Sequence, residues 1–220
     1  MNSSAHFRLK ALCLAVASAC AALQVEANPV NPTVVHGNAT FSNSGNTLTV
    51  TNTPNAIINW QQFGINANET VRFVQQSAAS AVLNRVTGAD PSHILGTLQS
   101  NGRVFLINPA GIMFGQGAVV DVAGLVASTL NITDSDFLNG RLQFNADRAH
   151  PGSVVNTGQI TTPNGGFVYL IAPQVENSGV ITTPSGEAIL AAGNSVELVD
   201  SADPALRVKV SAQSQDVNLS

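Results

Sequence analysis

Few residues in this chain are placed to do chemistry. Asp134 and Asp136 are two apart on an acidic stretch, the alternation that begins a calcium loop. The remaining acidic positions and the terminal Glu of an EF-hand are missing, so solvated loop charges are the expectation. His36, His93 and His150 stand far apart with no paired cysteines, which gives no zinc-ligand spacing. Glu176 and Glu197 are 21 residues apart, the spacing that stacks two carboxylates in a coil of that period. A polysaccharide-cleaving enzyme on such a scaffold needs converging carboxylates of this kind, or a calcium cluster with a basic residue. No G-x-S-x-G elbow, P-loop or H-E-x-x-H is present, and the N-x-T triplets at Asn38, Asn68 and Asn131 are expected by chance in so Asn- and Thr-rich a chain. The expectation is a non-enzyme with no metal and no cofactor.

The elements that carry these residues follow from a repeat. VVNTGQITTPNGGFVYLIAPQ over 154–174 is followed by VENSGVITTPSGEAILAAGNS over 175–195. Val154/Val175, Asn156/Asn177, Gly158/Gly179, Ile160/Ile181, Thr161/Thr182, Thr162/Thr183, Pro163/Pro184 and Gly165/Gly186 all match at an offset of 21. Each unit holds β-favouring pieces of three to five residues parted by Gly, Pro and Asn, which suits one turn of a solenoid. The predicted fold is all-β: a right-handed parallel β-helix with an N-terminal β cap and an extra-helical hairpin. In it Asn156 stacks on Asn177 as an amide ladder, and Pro163 and Pro184 fall at corners because they have no N–H to donate. A leucine-rich repeat would need Leu at regular offsets, and these units lack them.

Weaker echoes lie upstream. The run from Asn101 to Pro109 parallels that from Asn164 to Pro173 with one residue skipped. The run from Val119 to Ser128 parallels that from Val154 to Thr162. Between them 131–151 breaks the repeat and carries Asp134, Asp136, Arg141, Asp147 and Arg148; it is predicted to leave the coil as a hairpin with Asn139-Gly140 at its tip. Residues 28–96 do not repeat and are predicted to cap the solenoid, with strands at Thr33–His36, 47–51, Ala56–Trp60 and 71–74; 75–86 is Ala-rich enough for a short helix, which periodicity alone does not settle. The coils run from 97 to 220. After Val210 the sequence trails off as SAQSQDVNLS, which reads as a fragment of a longer solenoid.

Composition agrees. Of 220 residues only 10% are charged, with 18 Gly and 10 Pro, and 44% are hydrophobic, enough for a core. The net charge of −4 offers no basic face, which argues against nucleic-acid binding. Arg8 and Lys10 precede an apolar run from Ala11 to Leu23, and Val25-Glu26-Ala27 supplies small-residue spacing before Asn28. Residues 1–27 therefore read as a secretory signal peptide. Cys13 and Cys20 both lie inside it, and Ala17 stands three before Cys20 where a lipoprotein signal has a larger aliphatic. The mature chain is thus expected to carry no thiol.

Five strings occur in order: VVHGNATF (34–41), AIINWQQFGI (56–65), SAVLNRVTG (80–88), NGRVFLINPAGI (101–112) and VASTLNI (126–132). Together they resemble the secretion domain of two-partner-secretion exoproteins, of the filamentous haemagglutinin and high-molecular-weight adhesin type. The resemblance implies passage through the general secretory machinery, then recognition by the POTRA domains of an outer-membrane β-barrel transporter. It further implies nucleation of β-helix folding during export from a Gram-negative bacterium, and contact with a host cell surface through the longer exoprotein. The family's NPNGI motif falls on Asn108-Pro109-Ala110-Gly111-Ile112, with Ala110 in place of the second Asn; its NPNL motif is missing, with Asn66-Ala67-Asn68-Glu69 in that region. The residues expected to serve transporter recognition or to define the fold are Asn59, Trp60, Asn108, Pro109, Gly111 and Ile112. The rival readings are a β-helix enzyme acting on polysaccharide and a stand-alone module binding glycans along the solenoid flank.

Overall fold

A computed structural model describes residues 29–199, 208–211 and 216–219. The expected signal peptide lies outside them. The described chain is almost entirely short strands. The first part holds β1 (Thr33–His36), β2 (Ala39–Ser44), β3 (Thr47–Asn52), β4 (Ala56–Trp60), β5 (Thr70–Val74), β6 (Ala81–Val86) and β7 (Ser92–Ile94). Then come the long β8 (Thr97–Ile107), β9 (Ile112–Phe114) and the long β10 (Val119–Ser128), followed by the helix α1 (Asp134–Leu138) and β11 (Leu142–Asn145). The last part holds β12 (Val154–Asn156), β13 (Gln159–Thr161), β14 (Phe167–Ala172), β15 (Gln174–Asn177), β16 (Val180–Thr182), β17 (Glu187–Ala192), β18 (Ser195–Leu198), β19 (Val208–Ser211) and β20 (Asp216–Leu219).

The strands wind into a parallel β-solenoid, in which each inward side chain rests on the equivalent residue one rung below. One column runs Leu48, Val71, Leu98, Val120, Ile160, Ile181 through successive in-register parallel pairs. A second runs Ala56, Val82, Val104, Leu125, Val168, Ala188. The cause is the period of two in each strand. In β5, for example, Val71 and Phe73 are buried while Arg72 and Val74 point out. Burying one such aliphatic side chain contributes roughly 1.5–3 kcal/mol, against roughly 1–2 kcal/mol per residue of backbone ordering. A rung with only a few inward aliphatics cannot stand alone; stacking stabilises it.

The echo between Asn101–Pro109 and Asn164–Pro173 reflects true stacking two rungs apart: Val104 pairs with Leu125, and Leu125 with Val168. The other upstream echo is out of register. Val120 sits over Ile160 rather than Val155, and Val154 pairs with Ile112. The parallel stack also reaches upstream of Gly96, because β3 pairs with β5 and β4 with β6. Irregular loop lengths between these rungs hide the repeat in the sequence. Antiparallel pairing at this end joins β1 to β4 and β2 to β3, with a single bridge from Val30 to Gln62.

Three further expectations need correction. The helix foreseen within 75–86 is instead a turn followed by β6, where Val82 and Leu83 are both buried between β4 and β8. Burial on both faces overrides the alanine content. The excursion exists, but Asn139-Gly140 does not tip a hairpin. Thr133 caps α1, accepting from the Asp136 N–H at 3.0 Å, and Asn139 closes the helix with Gly140 following at φ 69°. β11 then pairs antiparallel with β18, and β18 with β19. Finally, β18 leaves the coil, so Glu197 lies opposite Gln143 and Lys209, whereas Glu176 has Val155 and Asn218 as its rung neighbours. The two carboxylates do not stack.

This side assembly explains the long apolar runs. Phe137, Phe144, Val196 and Leu198 pack on the outer face of the sheet against Leu83, Phe105, Val126 and Ile171, making a second core outside the coil. β8, β10 and β14 are apolar on both faces in their second halves because both faces are covered.

Candidate functional site

The corner after β8 ties several rungs together. Asn108 is fully buried; its Nδ2 donates to the Asp90 carbonyl at 3.0 Å and to Ser92 Oγ at 2.9 Å, while its Oδ1 accepts the Ala110 N–H at 2.9 Å. Its backbone N–H reaches Ser128 O on the next rung at 3.0 Å, and its carbonyl accepts the Gly111 N–H at 3.0 Å. Gly111 turns the chain at φ 133°, a conformation that a side chain would strain. The Pro109 carbonyl accepts from Gly152 at 2.9 Å, and the Ile112 N–H donates to Ser153 O at 3.0 Å. Pro109, Gly111 and Ile112 are all buried. Position 110 contributes a backbone N–H, so Ala110 fills it without loss of this contact.

A second cluster sits in the first coils. Trp60, 1% exposed, donates from Nε1 to Asn84 Oδ1 at 3.0 Å, and Asn84 Nδ2 passes on to the Phe105 carbonyl at 3.3 Å. Phe41 and Phe63 meet the indole edge-on, with centroids at 5.6 and 5.7 Å. Asn59, next to Trp60, is partly buried and pairs with Thr33 and Arg85. The two clusters therefore join β4, β6 and β8 on one side and the rungs of β7, β9 and β12 on the other.

Asn156 and Asn177 pair in register on β12 and β15, and Asn156 Nδ2 donates to Asn177 Oδ1 at 2.7 Å. Each amide also closes its own corner: Asn156 Oδ1 accepts from the Gly158 N–H at 3.1 Å and Asn177 Nδ2 donates to Gly179 O at 3.3 Å.

Four charged groups serve the excursion. Arg85 donates from Nε to Asn131 Oδ1 at 3.1 Å and from Nη2 to Ile132 O at 2.7 Å and Asp134 Oδ1 at 2.8 Å. Asp136 pairs with Arg141 at 2.7 Å. Hydrogen bonds from the Thr133 hydroxyl and from Arg141 hold the Asp136 carboxyl below its usual range. Each aspartate thus has an arginine partner, and no three metal-holding side chains cluster among the described residues.

Sequence reasoning did not single out Asn84, Arg85 or Ser92. A signal existed for the first two: Asn-Arg interrupts the otherwise apolar strand Ala-Val-Leu-Asn-Arg-Val. Ser92 carried none, since its role depends on Asn108 arriving from 16 residues later.

Comparison with known proteins gives a consistent result. A family model described as the TPS secretion domain matches residues 25–220. The solved HMW1 secretion domain from Haemophilus influenzae is 37% identical, with a TM-score of 0.77 over 86% of this chain and 50% of that one. A heme/hemopexin-binding protein of Haemophilus influenzae is 40% identical over 134 residues, 60% of this chain and 15% of the relative; a second protein of that name is 42% identical over 77 residues, 35% of this chain and 8% of the relative. The chain thus spans a small part of the length of these relatives. Fold and family alike are those of a secretion domain. The chain belongs to the TPS secretion domain family, the export modules of two-partner-secretion exoproteins.

Proposed function

We propose that this chain is the N-terminal secretion domain of a large exported adhesin or haemagglutinin, that POTRA domains of its outer-membrane transporter capture it, and that it nucleates β-helix folding as the exoprotein emerges. One observation carries the reading: the stack is one-directional. Antiparallel strands β1 and β2 close the first end, and after them the strands of the main coil stack parallel on the rung below, with a bulge at Val122/Gly124 between β8 and β10. A solenoid closed at one end can add rungs only from the other, and each added rung buries apolar columns that oppose backsliding. The periplasm supplies no nucleotide, so this burial is the free-energy source that export can draw on. Passage begins with the general secretory machinery acting on 1–27.

The buried positions Asn108, Pro109, Gly111, Ile112 and Trp60, with Asn59 beside them, serve this function by defining the fold. A transporter can touch them only before they fold, by adding an extended segment to a strand edge. The Asn156–Asn177 ladder keeps successive rungs in register. The experiment is capture of the purified chain, folded and urea-unfolded, on an immobilised POTRA fragment, alongside export of a variant lacking 28–96. Capture with loss of export on deletion supports the proposal; normal export of the deletion variant overturns it.

A further inference from the structure

After β17 the chain leaves the coil and then rejoins it. Gly193 still donates its N–H to Ala172 O on the rung below at 2.9 Å, but the Asn194 carbonyl accepts from Ala146 of the excursion at 2.9 Å. β18 then runs antiparallel along β11, with Phe144 opposite Val196 and Gln143 opposite Glu197. Ser195 Oγ donates to Asn145 Oδ1 at 2.7 Å, across 50 residues of sequence. β19 folds back on β18, and β20 lies parallel on β15, in the coil again. The buried residues Val196 and Leu198 close the second core over Leu83, Phe105, Val126, Ile171 and Ala191. Those five belong to β6, β8, β10, β14 and β17, which stack one on the next in that order. At its start the excursion is held to β6 by Arg85, through Asn131, Ile132 and Asp134.

In a plain solenoid each rung touches only its neighbours, so the terminal rung frays first and the loss moves inward one rung at a time. Here one apolar layer crosses five stacked strands. It is built half from an early segment, α1 and β11, and half from a late one, β18, with β12 to β17 between them in the sequence. Those strands pair with the coil alone, so they can stack before β18 is in place. Once β18 docks, β14 and β17 peel away only if the second core opens as well. We infer that β18 is a latch: it closes a brace over rungs already stacked and turns stepwise unwinding from the free end into one cooperative opening. Its use in export rests on the folding role proposed above, in which it holds the last rungs of this domain against backsliding.

The test is hydrogen exchange read by mass spectrometry on the purified chain and two variants. Val196→Asp puts an unpaired charge into the second core and undocks β18. Gln143→Cys with Glu197→Cys joins two exposed, directly opposed positions by a disulfide and holds β18 shut; residues 28–220 contain no native cysteine. In Val196→Asp, exchange over 174–192 is expected to accelerate about tenfold or more, together with that over 131–151, while 97–128 stays as in the parent. The oxidised disulfide variant is expected to slow exchange over 174–192, and reductant to restore the parent rate. Acceleration confined to 131–151 overturns the proposal, because the layer then covers the coil without coupling its rungs. Equal acceleration over 97–128 overturns it too, as a loss of overall stability. So does an oxidised variant that exchanges over 174–192 as its reduced form does, a comparison that decides the matter even where Val196→Asp does not fold. The rates are read without the transporter, so failed POTRA capture would overturn the export role and leave the latch standing, whereas unchanged rates would remove the latch and leave the export role.

Discussion

Replacing Asn108 with alanine tests whether the corner after β8 is a fold-defining staple. The substitution removes three hydrogen bonds, to the Asp90 carbonyl, Ser92 Oγ and the Ala110 N–H. Asp90 is exposed, so water replaces its lost donor at little cost. Ser92 is fully buried and Ala110 half-buried, so a hydroxyl and an amide N–H lose their partner away from bulk water. At about 1–3 kcal/mol per stranded buried group, softened by relaxation, the expected loss is about 2–3 kcal/mol. For a chain of this length that corresponds to a fall in Tm of roughly 4–12 °C. Urea unfolding followed by circular dichroism reads it as a lower midpoint at unchanged m-value. A change under about 0.5 kcal/mol would refute the staple. Well below its Tm, the folded variant should bind a POTRA fragment as the parent does. Lost capture at unchanged stability would show instead that Asn108 is itself a contact.

Three more predictions come from other parts of the molecule. Gly186→Ala places a methyl against the Gly166 carbonyl of the rung below and is expected to cost about 1–3 kcal/mol. Gly165→Ala meets open space, so its cost comes from its φ of 77° alone, about 1–2 kcal/mol; thermal melts of both variants separate crowding from backbone strain. Arg85→Ala cuts the tether to Asn131, Ile132 and Asp134 and should cost about 2–3 kcal/mol, with 131–151 becoming the first site of limited proteolysis; an unchanged cleavage map would contradict the tether. Asp136 ionises below its ordinary value of 3.8 in the folded chain, so its stabilising effect is complete above that pH and is lost as the pH falls through the lower folded value. Thr133→Ala removes the largest cause, and an NMR titration of the Asp136 carboxyl should move up toward 3.8; no movement would refute the hydrogen bond from the Thr133 hydroxyl to that carboxylate.

The primary sequence by itself determined the winding. Matches at an offset of 21 put Val154 over Val175 and Ile160 over Ile181, because identical rungs stack only when their loops are equal in length. The run Asn-Pro-Ala-Gly was legible as a corner because its residues carry turn conformations locally. Tertiary structure alone decided what happens where loops are unequal. It moved the start of the parallel stack upstream of Gly96, made 81–86 a strand, and sent 195–198 out of the coil to pair with β11. It also chose Ser92 and Asp90 as the partners of Asn108, and Asn84 as the partner of Trp60. These contacts join residues 16 to 24 positions apart whose types have no periodic relation. Local propensity is blind to them, since the neighbour that satisfies each buried amide is fixed only when one rung settles on another.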